Sequence, residues 1–195
     1  MLRGYVECAR DISKARKLLE RMEKQKLVEA RPNVRTANTF LRGCLVLGAV
    51  ADAEALLERM RHVWAADEAW LAHGGAPDAS SYELVVALLC QALRATEASR
   101  LAREAIRCLG ASSGCSAMFL GCARAHLLLG ELEAARADAE RCRKLSEGGQ
   151  REEKLSNVAG SGGKRGTKKW NRDEKAEEVE DRRAYGSRLS RLYTV

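Results

Sequence analysis

One phrase in this chain returns, and its return limits what the chain can fold into. Around Pro32 the sequence reads RPNVRTANTFLRGCLVLGAVADAEALLERM, and around Pro77 it reads APDASSYELVVALLCQALRATEASRLAREAI. Both run proline, then Asn or Asp, a polar Ser/Thr stretch, an apolar helix, a short break and a second helix centred on a small alanine. The opening residues, LRGYVECARDISKARKLLERM, look like the same unit without its front. A helix–turn–helix unit recurring every thirty-odd residues cannot bury its apolar face alone. It must stack on neighbours, so the expected fold is an all-α solenoid of helical repeats.

The periodicity sets the expected units. The first segment, 2–31, is a partial repeat ending in an amphipathic helix, with Ile12, Ala15, Leu18, Leu19 and Met22 at i, i+3, i+4 spacing. The second, about 32–76, carries Phe40, Leu41, Cys44, Leu45 and Leu47, a turn at Gly48, then Ala53, Leu56, Leu57 and Met60. Its second helix is expected to continue through Val63, Trp64, Trp70 and Leu71 until Gly74-Gly75 stops it. Consequently the Pro32-to-Pro77 spacing is longer than the other repeats. The third unit, 77–112, carries Tyr82, Val85, Val86, Leu89 and Cys90, then Ala98, Leu101, Ala102 and Ile106, and it lacks the glycine turn. The fourth, 113–145, has its turn at Gly130 and small residues at Ala123, Ala135 and Ala139.

Composition fits this frame. Aromatics are only 5% of residues, so the core must be built from Leu, Ala and Val. The two prolines both fall at repeat boundaries, as expected where helix interiors exclude proline. After Leu145 the sequence turns to Gly, Ser and charge, and 146–195 is expected to be a flexible, disordered basic tail. Near its end Tyr185, Leu189 and Leu192 are helix-spaced. They read either as a docking segment or as part of a frayed tail or linker. The net charge of +7 favours a polyanionic partner, although 27 acidic residues offset most of the 34 basic ones.

At this point the residues suggest a family. The second unit resembles the pentatricopeptide repeat through Pro32, Asn33, Thr36, Asn38, Leu41, Cys44, Gly48, Ala53, Leu56 and Met60. The third matches through Pro77, Asp78, Ser81, Tyr82, Leu89 and Ala98. The fourth is more similar to the tetratricopeptide repeat, through Phe119, Ala123, Gly130 and Ala135. The resemblance implies a right-handed α-solenoid whose partner is single-stranded RNA, in a mitochondrion or plastid. It implies that each repeat contacts one base through a residue near the start of its first helix and a second at the end of the repeat. Mapped here, the base-reading candidates are Asn38 and Glu83. Their end-of-repeat partners are Asp78 and Ser113, and Asn33 closes the first segment. Asn38 with Asp78 is the family's uracil-type combination.

The same arrangement has a physical basis without the family. Polar side chains at equal intervals along a row of first helices can hydrogen-bond base edges. Flanking arginines (Arg35, Arg42, Arg94 and Arg124) are candidates for phosphate contacts, each with a solvated helix face as the plain alternative. For Asn38 the alternative is an ordinary N-cap.

Nothing in the chain points to an enzyme. His62, His73 and His126 share no metal-ligand spacing with one another or with a cysteine, and His126 reads as a histidine packed on an apolar helix face. Gly160-Ser161-Gly162-Gly163-Lys164 has the wrong spacing for a phosphate loop. The seven cysteines are odd in number without a CxxC pair, and they read as buried, reduced thiols. No cofactor or metal is expected. No run approaches the roughly 20 apolar residues of a membrane helix, so no membrane partner is expected. The chain starts in mid-repeat, which suggests a fragment. The apolar face near Tyr5 and Val6 should then be uncapped and promote self-association. The expected function is RNA binding in organellar RNA processing, stability or translation. The alternatives are a tetratricopeptide-type protein-interaction scaffold, with other proteins held through groove or tail, and an architectural subunit of an RNA–protein assembly.

Overall fold

The computed structural model describes residues 2–8, 10–109 and 115–160. All regular structure among them is helical. A π-helical turn at Gly4–Cys8 precedes α1 (Ile12–Glu23). α2 (Val34–Leu47) and α3 (Val50–Arg59) follow, α3 running on into a π-helical turn at Met60–Trp64. Then come the short α4 (Glu68–Ala72), α5 (Ala79–Gln91), α6 (Ala95–Leu109), α7 (Ser116–Leu128) and α8 (Leu132–Gly160). Side-chain oxygens start four of them: Asp11, Asn33, Asp67 and Asp78 each accept the backbone N–H three residues on.

The helices are joined in pairs by one recurring turn. Its central residue is left-handed in every pair: Arg10 (φ 48°), Gly48 (70°), Leu93 (58°) and Gly130 (77°). In the last three pairs the next amide closes on a carbonyl five residues back, Ala49 on Cys44, Arg94 on Leu89 and Glu131 on His126, each at 2.9 Å. That bond satisfies a carbonyl that the helix end leaves open. Five residues past each left-handed residue stands an alanine, Ala15, Ala53, Ala98 or Ala135, at most 4% exposed. The small side chain lets the second helix cross its neighbour closely. The third unit makes the turn without glycine because Leu93 takes the left-handed conformation itself.

Units pack on one another in chain order: α2 on α3 and α5, α5 on α6 and α7, α7 on α8. This gives an all-helical, repeat-like fold. Phe40, Leu41, Leu56, Trp64, Tyr82, Leu89 and Met118 fill its core. At two inter-unit contacts glycine is required by space. A Cβ on Gly43 would lie 2.5 Å from Val6 Cγ1, and one on Gly121 would lie 2.7 Å from Val86 Cγ1. The first of these corrects an expectation. Val6 is seated in the Gly43 notch and only 6% exposed, so the apolar face at Val6 is covered. Ion pairs tie the second helices of adjacent units, Arg16 to Asp52 at 2.9 Å and Arg59 to Glu23 at 3.1 Å, and Arg94 in the turn before α6 pairs with Glu54 of α3 at 2.9 Å.

The extra length before Pro77 is not a longer α3, as the sequence suggested. The helix ends after Trp64, and Asp67 caps the new helix α4. α4 folds back so that Trp70 stacks on Trp64 with centroids 4.9 Å apart. The Trp70 indole N–H donates to Pro32 O at 2.7 Å, and Val34 N donates to Gly74 O at 2.7 Å. Arg31 lies over the Trp70 ring at 5.1 Å and pairs with Asp67 at 2.9 Å. The insert is thereby stapled to the head of α2.

At the other end, the backbone of α8 runs past Leu145 to Gly160, so the change in composition does not mark a helix end. Arg143 sustains the helix there, donating to Glu140 at 2.7 Å and Glu147 at 2.8 Å. Ser113 and the tail readings beyond 160 lie outside the described residues. Among the described residues no helix is long and apolar enough to cross a membrane.

Candidate nucleic-acid interface

Asn38 lies within α2, not at its cap; Asn33 caps that helix, its Oδ1 accepting from Thr36 N at 3.0 Å. The capping alternative for Asn38 is therefore excluded. Its carboxamide instead bridges to the start of α5. Nδ2 donates to Asp78 Oδ1 at 3.1 Å, and Oδ1 accepts from Ser81 Oγ at 2.7 Å. Asp78 and Ser81 form the capping box of α5: Asp78 Oδ1 accepts from Ser81 N at 2.8 Å, and Ser81 Oγ accepts from Asp78 N at 3.2 Å. The amide orientation follows from charge, since the flipped form would set a carbonyl oxygen against the Asp78 carboxylate.

This bridge opens on a cavity of about 780 Å³. Arg35, Asn38, Thr39 and Arg42 line it from α2, Arg3, Val6 and Arg10 from the first unit, and Asp78 from the head of α5. Among the described residues that line it, four are arginines and one is a carboxylate, Asp78, which is bonded to Asn38. The site attracts anions while presenting fixed amide and carboxylate groups at its edge.

The other sequence candidates fall elsewhere. Glu83 is exposed on α5 and does not line the cavity. Arg124 is exposed on α7. Arg94 spans two carboxylates, Glu97 and Glu54, which raise its pKa further above the ordinary guanidinium value. Arg3 and Arg10 were not among the sequence candidates, although Arg10 occupies the turn position of the first unit. Ser81 was also passed over. Its signal is the Asp-x-x-Ser spacing of a capping box.

The turns also fix the register of the fourth unit. Asn38, Glu83 and Leu120 each precede a left-handed residue by ten positions. Leu120 is 39% exposed, so the place that carries Asn38 in the second unit carries leucine in the fourth.

A buried polar cluster joins α6, α7 and α8. His126 is 2% exposed, with Ser99 Oγ 3.2 Å from Nε2. Asp138 Oδ2 is 2.9 Å from Nδ1, though off the line of a straight hydrogen bond. These are the residue types of a nucleophile–base–acid set. However, Arg103 Nη2 also lies 2.8 Å from Nε2 and donates into the lone pair that a general base would need. Ser99 itself is only 6% exposed. The cluster knits three helices together through one imidazole.

Burial raises the thiol pKa of Cys44, Cys90, Cys108 and Cys122, Cys44 to about 12 and Cys122 to about 11. Among the described residues no group of His, Cys, Asp or Glu could hold a metal ion. No protein-family model matches the chain, and no curated protein or solved structure matches it either.

Proposed function

We propose that this chain is a single-stranded-RNA-binding module of pentatricopeptide type, a right-handed α-solenoid acting in the RNA processing, stability or translation of a mitochondrion or plastid. The observation that carries this reading is the cavity beside α2, where Asn38 and Asp78 stand among Arg3, Arg10, Arg35 and Arg42. The arginines supply sequence-independent attraction to phosphates. Asn38 spends one N–H on Asp78 and its oxygen on Ser81. Its second N–H and the Asp78 Oδ2 are left as an adjacent donor and acceptor. That pairing complements a base edge with a carbonyl beside an N–H, such as the imide edge of uracil. The groups are held before any ligand arrives, so little side-chain entropy is lost on binding.

The test is fluorescence anisotropy of the full chain with short single-stranded RNAs of one base each, across a salt series. Binding should weaken with salt, and Asn38→Ala should reduce it more for one base than for the others. Binding that ignores both base identity and Asn38 overturns the reading.

A tetratricopeptide-type scaffold is the second reading, favoured by one observation: Leu120, Leu127 and Leu128 are exposed on α7, on either side of exposed Arg124. A peptide, not a base, suits such a surface.

A further inference from the structure

The groups that equip the cavity beside α2 do not recur on the later first helices. Arg35 precedes Asn38 by three positions and Arg42 follows it by four, so the two arginines leave one helix face about a turn to either side of the carboxamide. Counted back from the left-handed residue of each turn, the place of Asn38 is held by Glu83 on α5 and by Leu120 on α7. The place of Arg35 is held by Ser80 and Ala117, and that of Arg42 by Ala87 and Arg124. Neither α5 nor α7 therefore sets an amide between two arginines. Glu83 is exposed, and its carboxylate disfavours a phosphate at the place where a strand leaving Asn38 would meet α5.

Pairing points the same way. Arg16, Arg31, Arg59 and Arg94 each reach a carboxylate. Among the described residues no carboxylate pairs with Arg10, Arg35 or Arg42, and all three line the cavity, so their charge is open to a ligand. At about 780 Å³ the cavity falls within the range of about 300–1,000 Å³ that holds one small ligand.

We infer that this site takes one nucleotide of the RNA together with the phosphate on each side of it, a uridine 3′,5′-bisphosphate unit. The base edge meets Asn38 and Asp78, one phosphate lies towards Arg35, and the other lies towards Arg42 and Arg10. This rests on the RNA reading and narrows it: the described units hold a strand at one nucleotide and do not track it from helix to helix. The test is competition against fluorescent octauridylate on the full chain at one salt concentration. The competitors are uridine 3′,5′-bisphosphate, oligouridylates of two, four and eight nucleotides phosphorylated at both ends, and inorganic phosphate. The bisphosphate should displace the label. Affinity should then rise no faster than the number of uridines, about eightfold or less from one to eight, because added length supplies only further registers. Arg42→Ala should weaken the bisphosphate about fivefold or more, whereas Arg124→Ala, its counterpart on α7, should leave it unchanged. A gain of about tenfold for each added uridine is the mark of a strand read base by base along the row. That gain, displacement by inorganic phosphate as good as by the bisphosphate, or equal effects of the two arginine substitutions overturns the inference while the RNA reading stands. Failure of octauridylate itself to bind overturns both.

Discussion

Asn38 Nδ2 and Asp78 Oδ1 lie 3.1 Å apart although 40 positions separate them. The contact joins the middle of one first helix to the cap of the next, so it couples the two units. Asn38→Ala should lower stability by about 1 kcal/mol. Asp78→Ala should cost about 1–2 kcal/mol because it also removes the cap of α5. Urea unfolding of the single and double variants should give a coupling energy of about 0.5 kcal/mol or more; additive losses would show that the bridge is not formed in solution.

Leu93 adopts φ 58° where the second and fourth units have glycine, and it is 75% exposed. Its side chain contributes little packing while the left-handed backbone costs about 1–2 kcal/mol. Leu93→Gly should therefore raise stability by roughly 1 kcal/mol, after the glycine's larger unfolded-state entropy is subtracted. A raised thermal midpoint checks it, and Gly48→Ala should shift the midpoint the other way.

The insert depends on one glycine and one indole. A Cβ on Gly75 would meet Trp70 Cδ1 at 2.7 Å and the Trp70 carbonyl at 3.0 Å. Gly75→Ala should destabilise by about 1–3 kcal/mol. Trp70→Phe should cost a similar ~1–3 kcal/mol by leaving the Pro32 carbonyl without its buried donor. Chemical denaturation monitored by the remaining tryptophans reads both.

The helical pairs, their small alanines and the polar face of α2 were legible in the sequence because each follows from local periodicity. Three features were not. Leu93 hides a glycine-type turn behind an ordinary residue, since left-handed backbone is not written in side-chain type. Asp67 as a cap is legible only if the helix through Trp64 is allowed to stop, and the apolar run past it argued for continuation. The contribution of Arg3 and Arg10 to the cavity depends on how the first unit seats in the Gly43 notch, a long-range packing fact. Asn38 and Asp78 were paired through the family resemblance, whereas the third member of their bridge, Ser81, emerged only from the coordinates.

Burial raises the Cys44 thiol from 9.0 to about 12. A raised pKa in the folded state means that unfolding releases a proton once the pH exceeds the unfolded value. The Cys44 contribution to stability is thus complete below about pH 9 and is lost as the pH climbs toward 12. Urea midpoints measured at pH 8 and pH 10.5 should show the decline, and Cys44→Ala should flatten it. The same burial should make Cys44 and Cys122 react with a thiol reagent only as fast as the protein opens.

The phosphate contact proposed for Arg42 is separable by experiment from the internal pairing of Arg94. Arg42→Ala should weaken RNA binding and reduce the slope of log affinity against log salt by about 0.7, the value for one single-strand phosphate contact. Arg94→Ala should leave that slope unchanged, because its guanidinium is committed to Glu54 and Glu97. It should also leave stability little changed, as for other solvent-exposed pairs. Equal slopes for the two variants would contradict the assignment.

The α4 insert lengthens the chain without lengthening the row. From Gly48 to Leu93 the polypeptide advances 45 positions, against 37 from Leu93 to Gly130, yet each step moves the row by one first helix. The surplus is taken up sideways, in the Trp64–Trp70 stack and its hold on Pro32. Contour length and the spacing of packed units are therefore independent quantities in this molecule: the segment between α3 and α5 carries a helix of its own while α2 still packs directly on α5.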